Sequence, residues 1–341
     1  MMTRRNIWTA LVCLVASPAL ANDGFGGFSA TGLTFSQTEA VAMVEEDLYI
    51  SPVRIRVSYL FRNLTGQDVT GEMIFPLPPI PMEAQLHTPL NLPDDLADDN
   101  LVGFSAMVNG VEVPVTIDRI AVIEPPYEEG QSLGAQYDVP GREVTAELQR
   151  LGLPLTVDAF AVTDALLALN PEARDEVSRL GLADYIDQTE VYPRWSIVLR
   201  YHWTQTFPAG ADVRIAHDYM NLPAGGLLSW NHPAQEDYEK ELAAEYCVDE
   251  GTSRAMARAT TRNGAATTGL AYSISYVLRT ANSWAGPIGR FRLTIDKGAA
   301  ENVVSLCADG ITKTGPTTFT MEKTDYIPTS DLEIFVLTPL P

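Results

Sequence analysis

Histidine side chains exchange protons near neutral pH more readily than other groups, and they are common metal ligands. This sequence has four histidines, His87, His202, His217 and His232. No two of them have the i, i+4 helical spacing of a zinc hydrolase, and HExxH and CxxC strings are absent. His202 lies in "WSIVLRYHWTQTF", residues 195–207, between Tyr201 and Trp203. It could be a catalytic histidine in an aromatic cleft or one residue of a sheet.

The alternation of residue types in this stretch predicts a strand, because side chains at even and odd positions point to opposite faces. Trp195 and Trp203 share the apolar face, and His202 lies on the polar one. A turn at "PAGAD" leads into a second run, and a tight hairpin would bring His217 opposite Tyr201. We therefore predict that His217 shares the tryptophan face, as a core or rim histidine or, alternatively, as a ligand contact.

Two tryptophans lie outside the predicted strands, in stretches rich in glycine and proline. Trp230 is in "PAGGLLSWNHP" and Trp284 is in "NSWAGPIG". A tryptophan in a loop is a better candidate for contact with a sugar or a partner protein than one in a strand. The alternative, which we favour, is that both side chains plug the ends of the core.

An acidic cluster is the other candidate site. The string "LPDDLADDN", residues 92–100, contains Asp94, Asp95, Asp98 and Asp99. Calcium prefers such oxygen ligands, but the alternating D-x-D-x-D-G loop is missing, so a solvated acidic loop is the favoured interpretation. The G-x-S-x-G, S-x-x-K, P-loop and G-x-G-x-x-G motifs are also missing. We predict no cofactor and leave catalysis as an alternative.

The N-terminus has the pattern of a signal peptide. Arg4 and Arg5 precede the apolar run 7–16, and "ALA" at 19–21 is a small-x-small cleavage site. We predict that residues 1–21 are cleaved and that the mature protein is periplasmic, by general secretory or twin-arginine export. No later segment is apolar for the about 20 residues that a membrane span requires, so we do not expect the mature protein to span the membrane.

Charge restricts the possible partners. The chain has 23 Lys and Arg residues against 44 Asp and Glu residues, a net charge of −21. Such a surface repels phosphate backbones and anionic lipid headgroups, so we expect neither nucleic acid nor a membrane surface as the main partner. We interpret the acidity as a source of solubility, with attraction of a basic partner or of cations as the alternative.

Two cysteines, Cys247 and Cys307, remain once the predicted signal peptide with Cys13 is removed. An even pair in an oxidising compartment predicts a disulfide. The loop that it closes has about 60 residues, which corresponds to about 4 kcal/mol of stabilisation in the chain-entropy model. The alternative is a catalytic thiol, which requires an activating histidine or lysine and no partner thiol.

Period-two alternation marks several further strands. Residues 54–62 and 69–75 alternate on either side of the turn "NLTGQD" and are predicted to form a hairpin. Asn109 and Gly110 between alternating runs are a two-residue hairpin signal. Helical spacing replaces alternation further along, where Asn170 followed by a proline is typical of a helix start.

We predict a mainly β fold with two antiparallel β-sandwich-like units, an α-helical insertion, and a further helix before the C-terminal strands. A mature chain of about 320 residues exceeds the usual size of one core, which favours two units. The predicted segments are the N-terminal sandwich at 22–125, the insertion at 138–188, and the C-terminal β unit at 189–341 with helices at about 233–261.

The string "RTANSWAGPIGRFRLTIDKGAAENVVSLCADG", residues 279–310, resembles a bacterial exported family known as domain of unknown function 4424. The resemblance continues at "YHWTQTFPAG", at the helix that carries Cys247, and at the N-terminal "EEDLYISPVRIRVSYLFRN" and "FPLPP". It covers essentially the mature chain. It implies an exported, mainly β protein whose two cysteines belong to the family pattern, and it implies no reaction, ligand or catalytic residue.

From these observations we expect a non-enzymatic binding or interaction protein of the cell envelope, whose partner is a protein or another envelope component. The first alternative is an envelope hydrolase or carbohydrate-binding protein. It requires Trp230 or Trp284 in one cleft with a carboxylate or with His217. The second alternative is a structural protein stabilised by calcium at the acidic cluster.

Overall fold

The computed structural model describes residues 38–77, 79–87, 92–126, 141–276 and 278–340. The predicted signal peptide at 1–21 lies outside these ranges. Within them the fold is mainly β, with several sheets and few helices, as the sequence predicts. No helix in these ranges is long and apolar enough to cross a lipid bilayer.

The strands are, in chain order, β1 (Val41–Ile50), β2 (Arg54–Asn63), β3 (Val69–Pro76), β4 (Ile80–Pro81), β5 (Ser105–Val108), β6 (Val111–Val113), β7 (Thr116–Ile123), β8 (Arg142–Glu143), β9 (Ala183–Tyr185), β10 (Val191–Pro193), β11 (Ser196–Phe207), β12 (Asp212–Met220), β13 (Ala224–Leu228), β14 (Thr261–Arg262), β15 (Ala265–Ala266), β16 (Gly269–Tyr276), β17 (Ile288–Asp296), β18 (Val303–Leu306), β19 (Thr312–Lys313), β20 (Thr318–Tyr326) and β21 (Leu332–Pro339). The helices are α1 (Met82–His87), α2 (Thr145–Arg150), α3 (Ala159–Leu167), α4 (Pro171–Arg179), α5 (Asp237–Glu245) and α6 (Glu250–Ala259).

The largest sheet has eight strands in the order β19–β20–β17–β1–β2–β12–β5–β6. Its strands come from both of the predicted β units. The parallel pair β1–β17 joins them, and the other neighbouring strands of the sheet are antiparallel. One hydrophobic cluster extends across strands of both units. The residue bounds given above for the two β units and the insertion remain predictions.

Two smaller sheets cover one face of the eight-stranded sheet. The first is a five-stranded sheet with the order β3–β11–β7–β8 and β4 beside β11. The second is a four-stranded sheet with the order β13–β16–β21–β18. Phe75 on β3 packs against Tyr219 on β12, with ring centroids 5.2 Å apart. The hydroxyl groups of Tyr59 on β2 and Tyr276 on β16 are 3.3 Å apart. The core therefore lies between the large sheet and the two smaller ones.

Two predicted hairpins are wrong. β11 lies between β3 and β7, whereas β12 lies between β2 and β5. Likewise β3 pairs with β11 and not with β2. At both turns the chain crosses to the facing sheet, and alternation cannot distinguish this from a hairpin because both arrangements leave one face buried. The predicted hairpin at Asn109 and Gly110 is confirmed between β5 and β6, with φ of 52° and 81°.

The predicted helical insertion is confirmed and comprises α2, α3 and α4. At the start of α4, the side-chain oxygen of Asn170 accepts a hydrogen bond from the backbone N–H of Ala173 at 2.9 Å, and Pro171 is in the first turn. Gly181 follows the helix with φ of 64°, the left-handed conformation typical of a helix end. The insertion packs against β7 and β10, so it lies next to the five-stranded sheet.

The predicted disulfide between Cys247 and Cys307 is confirmed, with a Cα–Cα distance of 5.1 Å. Cys247 follows α5, and Cys307 follows β18. The bond therefore attaches the helical segment after β13 to the four-stranded sheet.

Replacing both cysteines by serine is expected to lower the free energy of unfolding by about 4 kcal/mol, because the unfolded chain gains the entropy of an open 60-residue loop. Urea unfolding of the oxidised protein, the reduced protein and the double variant measures this loss. The reduced wild-type protein should match the variant. Equal stability of the oxidised and double-serine proteins would show that the bond contributes nothing.

Candidate functional site

A groove of about 310 Å³ lies on the outer face of the eight-stranded sheet, the face turned away from the core. It crosses four central strands, β1, β2, β12 and β5. The outward side chains that line it are Asp47, Tyr49, Arg56, Ser58, Ser105, Met107, Ala216 and Asp218. Its volume is at the lower end of the range for small-molecule sites, about 300 to 1,000 Å³.

Strand register explains why there is a depression at this place. Two adjacent rows of cross-strand neighbours build the groove. One row is Asp47, Ser58, Ala216 and Met107, and the other is Tyr49, Arg56, Asp218 and Ser105. Ser58 and Ala216 are directly opposite each other on the two middle strands. Because both side chains are short, they leave a low floor between longer side chains on β1 and β5.

A β-bulge in β1 determines which residues of this strand reach the groove. The register with β2 shifts between Met43 and Glu45. Before the bulge the buried residues are at odd positions, and after it they are at even positions. An extra residue in one strand produces this change of side. The bulge therefore directs Asp47 and Tyr49 outward into the groove and turns Glu46 into the core.

Arg56 is the charged residue of the groove that has no counter-ion among the residues that the structure describes. Its guanidinium lies 4.2 Å from the centre of the Tyr49 ring, and it makes no ion pair within the described ranges. The carboxylates of the groove are occupied, because Asp218 binds Arg54 and Asp47 lies 3.7 Å from Arg292. The groove thus offers one available positive charge, held in position on an aromatic ring.

An apolar side chain marks the other side of the groove. Met107 on β5 is 44% exposed, and Val111 on the neighbouring β6 is 68% exposed. One strand separates β5 from β2, and the two residues belong to different rows, so Met107 and Arg56 are about 12 Å apart across the sheet. These residues are not among those that the sequence predicts for a site. The signal in the sequence was the set of outward-facing positions on the two middle strands, β2 and β12, where Ser58 and Ala216 have short side chains.

Among the predicted site residues, His217 lies in the core. It is 2% exposed, and its ring is 5.4 Å from Trp203 and 5.2 Å from Phe104, centre to centre. It shares the tryptophan face as predicted, but from the facing sheet rather than from a hairpin partner. Neither ring nitrogen has a hydrogen-bond partner in the described part of the chain. Burial lowers its pKa to about 3, so the ring is neutral.

The two loop tryptophans are buried in separate clusters. Trp230 is 5% exposed, and its Nε1–H donates a hydrogen bond to Ser253 Oγ at 3.0 Å. Trp284 is 3% exposed, and its ring is 4.4 Å from Phe61, centre to centre. Neither tryptophan lines the groove. Both indole rings are buried in the protein interior, as they would be if they plugged the ends of the core.

The acidic cluster shapes turns. Asp95 and Asp98 each accept a hydrogen bond from a backbone N–H two residues ahead, at 3.0 and 2.9 Å. Asp99 lies 3.3 Å from a guanidinium nitrogen of Arg119, and for Asp94 the structure gives no ion pair in the described ranges. In the parts of the chain that the structure describes, no three or more His, Cys, Asp or Glu side chains form a group that could hold a metal ion.

His202 lies on the polar outer face of the five-stranded sheet. Its Nδ1 contacts the carboxylate of Glu72 on β3, and its Nε2 is 3.4 Å from Asp118 on β7. Arg200 on the same strand also binds Asp118. Burial opposes the ionisation of Asp118, but the hydrogen bonds and charges of Arg200 and His202 hold its pKa below the usual value. The cluster links three neighbouring strands, which gives His202 a structural role.

The core contains a carboxyl group that the sequence analysis missed. Glu46 is 2% exposed, and its register neighbours are Tyr59 on β2 and Phe291 on β17. Its Oε2 has no hydrogen-bond partner among the residues described. Burial raises its pKa to about 8, so this side chain is protonated at neutral pH. Glu46 and His217 are thus two ionisable groups that the fold holds in their neutral forms.

Comparison with known proteins gives a family. The sequence model of a domain of unknown function (DUF4424) matches residues 21–335. No curated protein matches the chain. One solved structure, titled as "a putative nutrient binding protein" from Legionella pneumophila, has 16% sequence identity and a TM-score of 0.42. The match covers 91% of this chain and 68% of that one, and a likeness of this size carries no argument about function. Because the family model spans most of the sequence, the chain belongs to the DUF4424 family.

Proposed function

We propose that this protein is a non-enzymatic binding protein of the bacterial envelope, that it acts in the periplasm, and that the groove on the outer face of the eight-stranded sheet is its binding surface. The observation that carries the proposal is Arg56. Its charge has no counter-ion in the described ranges, and the side chain borders a depression that Ser58 and Ala216 keep open.

The contacts of the groove favour binding over catalysis. Asp218 binds Arg54 and Asp47 lies 3.7 Å from Arg292, so each carboxylate of the groove already helps to hold an arginine in place. The hydroxyl of Tyr49 donates a hydrogen bond to Asp296 at 3.1 Å. Burial, together with the hydrogen bond and charge of Asp296, raises the pKa of Tyr49. These polar groups therefore hold the walls in place and can orient a ligand.

The groove residues indicate the chemistry of the ligand. A guanidinium binds carboxylate and phosphate groups through two parallel hydrogen bonds, and stacking on Tyr49 reduces the freedom that Arg56 would lose on binding. Met107 offers an adaptable apolar contact. With a net charge of −21, the chain repels strongly anionic molecules. We infer a protein segment that presents one carboxylate to Arg56 and an apolar side chain, about 12 Å away, to Met107.

Photo-crosslinking in cells tests this assignment. Met107 is replaced by a photoreactive phenylalanine analogue, and the crosslinked protein is identified by mass spectrometry. Adding Arg56→Ala should lower the crosslinked yield at least tenfold, because a hydrogen bond to a charged group contributes about 1.5 to 3 kcal/mol. Arg62→Ala is the matched control. Arg62 lies on the same strand and face, but it binds Asp212 and does not line the groove. Recovery of the protein crosslinked only to itself would reject the proposal.

A further inference from the structure

A second cavity, of about 570 Å³, lies where the end of α6, the start of β14, the turn at 297–303 and the end of β21 meet. None of its lining residues belongs to the groove. The charged residues that line it are Arg258, Arg262, Lys297 and Glu301. Three positive charges against one negative charge give a local excess of positive charge in a chain whose net charge is −21.

Two of these positive charges are not neutralised by any residue that the structure describes. Arg258 is exposed at the end of α6 and Arg262 is exposed on β14. Neither arginine makes an ion pair within the described ranges. By contrast, Arg254, one turn before Arg258 on the same helix, binds Glu250. Unpaired guanidinium groups beside a cavity can bind an anion through paired hydrogen bonds.

The inner wall of the cavity has further unused hydrogen-bonding capacity. Lys297 is 6% exposed, and its ammonium donates hydrogen bonds to the carbonyl oxygens of Ala300, at 2.6 Å, and Asn302. An ammonium has three donors, so one is left. Burial and the charge of Lys313 lower the pKa of Lys297. An anion in the cavity would offset this lowering, because it would stabilise the charged ammonium.

Asn302, which also lines the cavity, carries a polar atom that is left unsatisfied by the residues described. Its side chain is buried, at 7% exposure, and its Nδ2 donates a hydrogen bond to the carbonyl oxygen of Lys297 at 2.6 Å. Its Oδ1 has no partner in the part of the chain that the structure describes. An acceptor that is buried without a partner destabilises the folded state. A hydroxyl or amino group of a ligand in the cavity would supply the missing donor.

We propose that this cavity binds a small organic anion that also carries a hydroxyl or amino group. Arg258 and Arg262 bind the carboxylate or phosphate at the mouth, and the remaining donor of Lys297 binds it from inside. The hydroxyl or amino group donates a hydrogen bond to Asn302 Oδ1. The site is separate from the groove, and its ligand is independent of the proposed function.

Calorimetric titration of the full chain tests the site with citrate, tricarballylate and glycerol 3-phosphate. Citrate differs from tricarballylate by a hydroxyl group, and glycerol 3-phosphate replaces the carboxylates by a phosphate. We expect at least one of the two hydroxylated anions to bind. The double variant Arg258→Ala, Arg262→Ala should weaken that binding at least tenfold, whereas Arg254→Ala should leave it unchanged because Arg254 does not line the cavity.

The role of Asn302 has its own readout. Asn302→Leu should weaken the binding of citrate more than that of tricarballylate, which has no hydroxyl group, because both anions share the contact with Lys297 that Asn302 helps to hold in place. The double arginine variant replaces exposed residues, so its folding is not in question. The proposal is overturned if none of the three anions binds at millimolar concentration, or if the double arginine variant binds them as tightly as the wild-type protein does.

Discussion

Replacing Glu46 by glutamine is expected to remove a pH-dependent loss of stability of about 5 kcal/mol. Burial raises the pKa of Glu46 from 4.5 to about 8, so the folded state holds this proton more tightly than the unfolded state does. The contribution is therefore fully favourable below pH 4.5, and it is lost as the pH rises to about 8. Each unit of pKa difference corresponds to about 1.4 kcal/mol. Glutamine does not ionise, so the variant lacks this loss.

Urea unfolding between pH 4 and pH 9 measures the effect as the difference between the variant and the wild-type protein. The matched control is Glu45→Gln. Glu45 precedes Glu46 on β1, but it faces outward and lies 3.3 Å from Arg290. We expect the control to follow the wild-type pH dependence. Parallel curves for Glu46→Gln and wild type would mean that the carboxyl group is ionised in the folded protein.

Replacing His217 by leucine is expected to remove a loss of similar size on the acid side. Burial lowers the pKa of His217 from 6.5 to about 3, so the unfolded state takes up a proton that the folded state refuses. Its contribution is intact above pH 6.5 and is lost as the pH falls toward 3, by about 5 kcal/mol in total. Leucine has a similar volume and suits the aromatic surroundings of Trp203 and Phe104.

Urea unfolding between pH 7 and pH 3 is measured for His217→Leu and for the wild-type protein. The difference between them is the readout, because the carboxylates of both proteins titrate in the same pH range. His87→Gln is the control, since His87 is an exposed histidine at the end of α1. Between pH 4.5 and 6.5 the effects of Glu46 and His217 have opposite signs, so the two groups together should leave stability nearly flat there. A His217→Leu curve that falls with acid like the wild-type curve would contradict the assignment of a neutral, buried ring.

Alternation in the sequence predicts the faces of strands well and their partners poorly. It indicates that His217 and Trp203 face the core, but it places them in one hairpin instead of in two facing sheets. The reason is physical. Burial of one face follows from any packing of a strand, whereas the partner strand depends on contacts between distant parts of the chain. The parallel pair β1–β17 joins residues near both ends of the chain and leaves no local signal.

Local backbone signals were more reliable than predicted pairings. The hairpin at Asn109 and the helix start at Asn170 are both confirmed. Each depends on conformational preferences of a few adjacent residues, so the sequence contains the whole cause. The disulfide between Cys247 and Cys307 is confirmed as well. It was predictable because only two cysteines remain once the predicted signal peptide is removed.

The groove could not be predicted in the same way, because four strands contribute to it. Ser58 and Ala216 form a floor only once β2 and β12 are neighbours. The bulge in β1 did leave a signal, since the apolar Val41 and Met43 are at odd positions whereas Leu48 and Ile50 are at even ones. That change identifies Glu46 as an inward residue and Tyr49 as an outward one. Loop position alone would favour a contact role for Trp230 and Trp284, but both side chains are buried.

The most direct test of the groove as the binding surface is the yield of the crosslinked partner at position 107, measured in cells for Arg56→Ala and Arg62→Ala side by side. Binding through the charge of Arg56 predicts a yield at least tenfold lower in Arg56→Ala and a wild-type yield in Arg62→Ala. Equal yields in the two variants would contradict the assignment of this groove as the binding surface.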